Sequence, residues 1–254
     1  YALWDEICYE FTKHIVDRYG EQEVSKWYLQ CFNEPDIGAF FMKYEANPDV
    51  RVGEYLKLYR GFSKGIRRVS DKLKAGGPAM AHNPVFLMEF LRAVKAENLK
   101  FDYFCGHSYG TTPQSLNDKT GRLHVLNNIR KIDAYFRILK AMGMEDTELV
   151  IDEWGACTCG FWNREECPQL MFREDSRYAA DFGKLITNLV FGPLDVSKLM
   201  ICLSGQHEMK VDFSGFRGFF TLNGFKKPIY NAYALAAKLH TKVLKCDHKH
   251  NYNN

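Results

Sequence analysis

The feature that most restricts this chain of 254 residues is a fivefold alternation of short apolar runs with longer amphipathic segments. Residues 26–32, 73–80, 101–107, 148–153 and 198–203 are brief and apolar almost throughout, the mark of strands buried on both faces. Helical patterns over 53–72, 83–97, 122–142 and 175–191 separate them, and a last one runs from Pro228 to about 241. An orphan helix precedes the first strand, with Leu3, Ile7, Phe11, Ile15 and Val16 forming its stripe over residues 4–19 and Gly20 ending it. Asn83-Pro84 reads as an N-cap with proline in the first turn.

Five βα units imply an α/β fold with a parallel sheet covered by helices on both sides. An open doubly wound sheet and a (β/α)₈ barrel both satisfy this pattern. No glycine-rich phosphate loop follows any strand, whereas polar and acidic residues recur at the carboxyl ends of separate strands. Barrel enzymes place their chemistry there, so the barrel is the favoured fold.

The formal net charge is +3, and no block of like charge resembles a nucleic-acid-binding tail. Lys64, Arg67, Arg68 and Lys72 recur at helical spacing and read as a solvated helix face. No apolar run has the length of a membrane helix, about 18 residues. Nucleic-acid and membrane partners are therefore not expected. Cys31, Cys105 and Cys202 sit in strand runs, where a thiol behaves as a small hydrophobe. Cys157, Cys159 and Cys167 share a loop but lack the paired spacing of a zinc site, so no metal is expected. Aromatic residues make up 15% of the chain, which suits a well-filled core and also suits stacking against sugar faces.

Two carboxylates stand out. Glu34 follows the first strand in Phe32-Asn33-Glu34-Pro35-Asp36, and Glu153 ends the fourth in Ile151-Asp152-Glu153-Trp154. Three βα units apart, they point at one cavity from separated strands of a barrel. Paired carboxylates across a site are what glycoside hydrolysis requires: one protonates the leaving oxygen, while the other attacks or activates water. Read alone, Glu34 is equally a first-turn acid beside a helix N-terminus, and Asn33 an Asx-turn residue. His107 and Tyr109 alternate at the end of the third strand and so share a face.

These runs, in this order, resemble family thirty-nine of the glycoside hydrolases, the β-xylosidase and α-L-iduronidase family of the retaining (β/α)₈ clan. The chain shows CFNEPD (31–36), GGPA (76–79), HSY (107–109), DEWG (152–155) and a tail, FRGFFTLNGFKKPIYNAYALAAKL (216–239), similar to the family's closing loop and helix. The resemblance implies that Glu34 is the acid/base and Glu153 the nucleophile of a double displacement with no cofactor. It implies that Asn33 binds the sugar 2-hydroxyl, that Tyr109 donates to the nucleophile, and that His107 lines the sugar subsite. Trp154 is a sugar platform or packing. Asp152 stands where the family usually has threonine, and as a strand neighbour of Glu153 it is expected to point away.

By the same resemblance the first strand here is strand four. Residues 1–254 would then be the carboxy-terminal part of one catalytic barrel, holding strands four to eight, with strands one to three, about 100 residues, missing. An upstream segment or an oligomeric partner would complete it, and the inward faces at Tyr28, Cys31, Met200 and Cys202 should await that cover. The last strand departs from the family pattern: it lacks tryptophan and carries Gln206, His207 and Glu208 where the subsite floor belongs. Alternative readings are a carbohydrate-binding pseudoenzyme, an inactive fragment, and an endo-β-glucanase or mannanase of the same clan.

Overall fold

The computed structural model describes residues 1–45, 47–112, 125–158, 160, 162–203, 211–240 and 242. Within them the chain runs α1 (Ala2–Tyr19), α2 (Glu21–Val24), β1 (Tyr28–Gln30), α3 (Pro48–Val69), β2 (Lys74–Met80), α4 (Pro84–Ala96) and β3 (Tyr103–Thr111). It continues as α5 (Val125–Ala141), β4 (Glu148–Cys157), a 3₁₀ turn (Pro168–Glu174), α6 (Ser176–Phe191), β5 (Lys198–Ile201) and α7 (Pro228–Ala236). The strands pair in sequence order, β1-β2-β3-β4-β5, all parallel, so the α/β reading holds as a five-stranded half-barrel. Gln206, His207, Glu208 and Cys159 lie outside the described residues. Among those residues no helix is long and apolar enough to cross a membrane.

Helix starts follow from local chemistry. Asn83 Oδ1 accepts from the Val85 and Phe86 amides, capping α4 ahead of Pro84. The same device, Asn47 with Pro48, starts α3 five residues before the expected boundary. The outer face of the sheet packs against the helices in one large core that includes Tyr55, Tyr59, Phe90, Phe104, Ile151 and Trp154. The inner face carries a smaller cluster of Ala79, Tyr103, Cys105 and Val150, with Tyr28 against it.

The α1 stripe turns out differently from its expected burial. Leu3, Ile7 and Phe11 are exposed, while Cys8, Thr12 and Ile15 are buried. The contact with α3 forms one face over, because α3 offers backbone there instead of side chains: a Cβ on Gly65 would lie 2.6 Å from Cys8 Cβ, and one on Gly61 2.8 Å from Trp4 Cδ1. The basic residues of α3 and of the turn after it border this contact and are paired. Lys64 reaches Asp5, Arg68 reaches Asp5 and Glu6, and Lys72 reaches Glu21. Solvent screens these exposed pairs, so they add little to stability.

Of the inward residues, Tyr28 is half-buried and Met200 is 48% exposed. Cys31 and Cys202 are buried, contrary to expectation; Cys31 follows the inward Gln30 and so faces the helices. At the amino ends of the strands the inner face is polar. Glu148 accepts from the Tyr28 hydroxyl, from Lys74 (2.9 Å) and from Ser197 (2.7 Å). Burial works against its charge, but these donors prevail and hold the carboxyl down at about 2.

One buried acid is poorly served. Asp181 on α6 is 6% exposed, and its Oδ2 has no hydrogen-bond partner among the described residues. Burial, only partly offset by Lys184, pushes its pKa up to about 7. The folded state therefore holds this proton more tightly than the unfolded chain, and stability falls as pH rises from about 4 to 7. Asp181→Asn is expected to flatten that dependence and to stabilise the chain by about 2–4 kcal/mol at pH 8 in denaturant titrations.

Candidate active site

The strand ends converge on a cavity of about 900 Å³ lined by Asn33, Glu34, Tyr109, Lys131, Glu153 and Arg217, among others. Glu34 does not open a helix. It sits in the left-handed region (φ 47°) just past Phe32 (φ 68°), with its amide donating to Ala79 O at 2.9 Å. A glutamate held there costs conformational energy, which is the kind of strain that accumulates at functional sites. The turn is fixed by Asp36, whose carboxylate accepts from the amides of Ala81, His82 and Asn83 at 2.8–2.9 Å. That buried carboxylate joins the loop after β1 to the loop after β2.

Glu153 reaches the cavity because β4 is bulged. Ile151 pairs with Gly106 and Glu153 with His107, leaving Asp152 as an extra residue. The other edge of β4 agrees: Ile151 pairs with Leu199 and Trp154 with Ile201. Val150 faces inward, so strict alternation would have turned Glu153 toward the helices. With the bulge, Asp152 and Glu153 both face inward and Trp154 faces outward.

Two expectations are thereby corrected. Asp152 does not point away: its Oδ1 lies 3.8 Å from His107 Nε2. Trp154 is not a sugar platform. It is fully buried, stacks on Phe182, and donates from Nε1 to the Tyr233 hydroxyl at 2.7 Å.

His107 corrects a third expectation. It is fully buried and lies beneath the cavity instead of lining it, with Nδ1 2.6 Å from Glu34 Oε1 and 3.5 Å from Glu153 Oε2. Tyr109 donates to Glu153 Oε2 at 2.6 Å, as the resemblance implied. Asn33 lines the cavity. Glu34, His107 and Glu153 bring one ligand atom each within 4.8 Å of one another, the only such gathering of three among the described residues. The imidazole nitrogen that would face a cation is already engaged by Glu34, so the trio reads as a hydrogen-bonded proton site.

Arg217 and Lys131 were not singled out from the sequence. Arg217 donates to the Tyr109 hydroxyl and to Cys202 Sγ, both at 3.0 Å. Its loop is anchored by Lys227, which reaches Glu174 Oε1 (2.7 Å) and Phe216 O (2.9 Å). Arg217 lies inside the tail run that carried the resemblance, so position in that run was its signal. Lys131, on α5, had no signal beyond its helix. Burial lowers the pKa of its amine, against the opposing pull of Asp36 and Glu34. Burial raises the pKa of the Tyr109 hydroxyl, with Arg217 opposing and Glu153 adding to it, so the phenol stays a donor.

Two glutamates thus face one another at the carboxyl ends of parallel strands, one bonded to a histidine and the other to a tyrosine. The model for Glycosyl hydrolases family 39 matches residues 1–253, and the chain belongs to that family. A β-xylosidase of Caldicellulosiruptor saccharolyticus is 24% identical over 242 residues, which is 94% of this chain and 46% of that protein. Human α-L-iduronidase is 32% identical over 82 residues, 32% of this chain and 12% of that protein. The crystal structure of a monomeric β-xylosidase from Caulobacter crescentus CB15 superposes with a TM-score of 0.75 at 20% identity, over 94% of this chain and 47% of that one. The chain thus spans about half the length of the β-xylosidases it matches.

Because Asp36 ties the loops after β1 and β2 through three hydrogen bonds from backbone amides, Asp36→Ala is expected to cost about 2–4 kcal/mol. Glu89→Ala, in an exposed pair with Arg92, should cost under about 0.5 kcal/mol in the same chemical unfolding experiment.

Proposed function

We propose that this chain carries the catalytic pair of a retaining, β-xylosidase-like glycoside hydrolase, with Glu34 as acid/base and Glu153 as nucleophile. The observation that carries this is the approach of one oxygen of each glutamate to within 4.8 Å across a single open cavity. Retaining glycosidases hold their carboxyl groups about 5–5.5 Å apart, whereas inverting ones leave about 6.5–9.5 Å for a water.

In the first step Glu34 gives its proton to the departing glycosidic oxygen while Glu153 attacks the anomeric carbon. In the second, Glu34 as a carboxylate takes a proton from water, which displaces Glu153 and releases the sugar. Tyr109, pinned by Arg217, orients the nucleophile. Asn33 is the candidate contact to the sugar 2-hydroxyl. No organic cofactor enters this sequence.

We further propose that the half-barrel is strands four to eight of one (β/α)₈ catalytic domain, completed by three more βα units. Supporting this are the exposed Met200 on the inner face, the apolar stripe Leu3, Ile7 and Phe11 on α1, and relatives about twice as long. An incomplete barrel exposes strand edges that invite association. The 254 residues alone should scatter as an oligomer and hydrolyse aryl glycosides poorly or not at all. Adding the upstream coding segment should give a barrel of monomer size together with activity. A monomeric, cooperatively unfolding 254-residue chain would overturn the proposal of an incomplete barrel.

In the complete enzyme, Glu153→Ala should abolish turnover. Glu34→Ala should lower kcat/KM by about 10²–10⁴-fold on poor leaving groups and far less on dinitrophenyl glycosides, which need no proton. Equal losses on both substrates would remove Glu34 from the acid/base role.

A further inference from the structure

We infer that Asp152 is a positioning residue: it keeps the imidazole of His107 charged, and the charged ring fixes the carboxyl of Glu34. The inference rests on the reading of Glu34 as acid/base and adds a third carboxylate that touches no substrate.

His107 is fully buried and meets carboxylates at both ends of its ring. Nδ1 is 2.6 Å from Glu34 Oε1 and 3.5 Å from Glu153 Oε2, and Nε2 is 3.8 Å from Asp152 Oδ1. Nε2 and Asp152 Oδ1 are both sealed from solvent, and neither has a hydrogen-bond partner among the described residues. A movement of about 1 Å would bring them to charge-assisted hydrogen-bond distance. Only the imidazolium has a donor on each nitrogen; a neutral ring would turn a lone pair toward one of the two acids.

The groups packed around the ring agree. Asp152 and Glu153 approach from β4 and Glu34 from the loop after β1. Cys105 and Tyr109 flank it on β3, and on α5 the Tyr135 hydroxyl donates to His107 O at 2.9 Å. The cations Lys131 and Arg217 act on Glu34 and Tyr109 respectively. Burial opposes charge on the ring, but Asp152 and Glu34 outweigh it and raise the pKa to about 10.

Of the three carboxylates, Asp152 alone takes no part in the proposed reaction. Glu34 alternates between acid and anion, and Glu153 loses its charge when it becomes a glycosyl ester. A histidine balanced only by these two would see its counter-charge pass from Glu153 to Glu34 and back in every turnover. Asp152 supplies His107 with a partner that the chemistry does not consume.

The test follows ¹⁵N-labelled imidazole signals of the full chain through a pH titration, with His107→Gln assigning the resonance. His107 should remain protonated above about pH 8.5. Asp152→Asn should lower its titration by about 1–3 pH units, and Asp152→Glu should recover most of the loss. A wild-type His107 that titrates below pH 7 overturns the inference, even where the variants fail to fold. So does an unchanged titration in Asp152→Asn.

In the complete enzyme, Asp152→Asn should lose about tenfold in kcat/KM on a poor leaving group and little on a dinitrophenyl glycoside. Loss on both substrates alike would overturn the link to Glu34. A charged, Asp152-dependent His107 in a complete protein that hydrolyses no glycoside would leave the pairing standing and count against the glycosidase reading alone.

Discussion

The site depends on one extra residue in β4. In a regular strand the side chain three places after the inward Val150 faces the helices, and Glu153 would be lost to the core. Inserting Asp152 reverses the alternation at the level where the cavity begins. It delivers Glu153 to Tyr109 and sends Trp154 into the aromatic stack with Phe182 and Tyr233. The β2 register shifts at the same height: Ala79 is the extra residue there, facing inward (φ 51°) and accepting the Glu34 amide through its carbonyl. The two irregularities flank β3 and aim the two glutamates from either side of His107.

Around that constraint the loops are cross-braced. Asp36 binds the turn after β1 to the start of α4, and Lys227 with Glu174 holds the loop that carries Arg217. Each brace is a buried charge held by hydrogen bonds, so removing one partner leaves the other stranded in a poorly polarisable setting. Precision at the carboxyl ends thus comes from ionic fastenings across loops, while the outer aromatic core supplies cohesion.

Much of this was legible in the sequence, for definite reasons. Apolar runs of uniform polarity revealed the strands, because a parallel sheet is covered on both faces. Asn83-Pro84 marked a helix start through chemistry internal to two residues. Glu34, Glu153 and Tyr109 stood out because they occur in runs with a recognisable order. The failures concern direction. Alternation predicted that Asp152 would point away, since a bulge leaves no mark in composition. Trp154 was a sugar platform or packing until the same bulge placed it on the core side. His107 was expected at the sugar and is beneath it, a difference of depth that periodicity does not encode. On α1 the buried face shifted because Gly61 and Gly65 invite close backbone approach, and Arg217 and Lys131 act through long side chains whose reach is set by tertiary packing.

The inner face is zoned along its strands. Glu148, Lys74 and Tyr28 form an ionic floor, Ala79, Cys105 and Val150 an oily belt, and Asp152, His107 and the glutamates a titrating ceiling. Glu148 and Asp152 stand four positions apart on β4, about 13 Å at roughly 3.3 Å per residue, with the apolar belt between them. The hydrogen bonds of the floor join Tyr28, Lys74, Glu148 and Ser197, and those of the ceiling join Glu34, His107, Tyr109 and Glu153, with the belt lying between the two sets. Substitutions in the floor would change how firmly the sheet is fastened at its amino end while leaving the hydrogen bonds of the ceiling in place. The two ends of one strand are thereby left to evolve on separate terms.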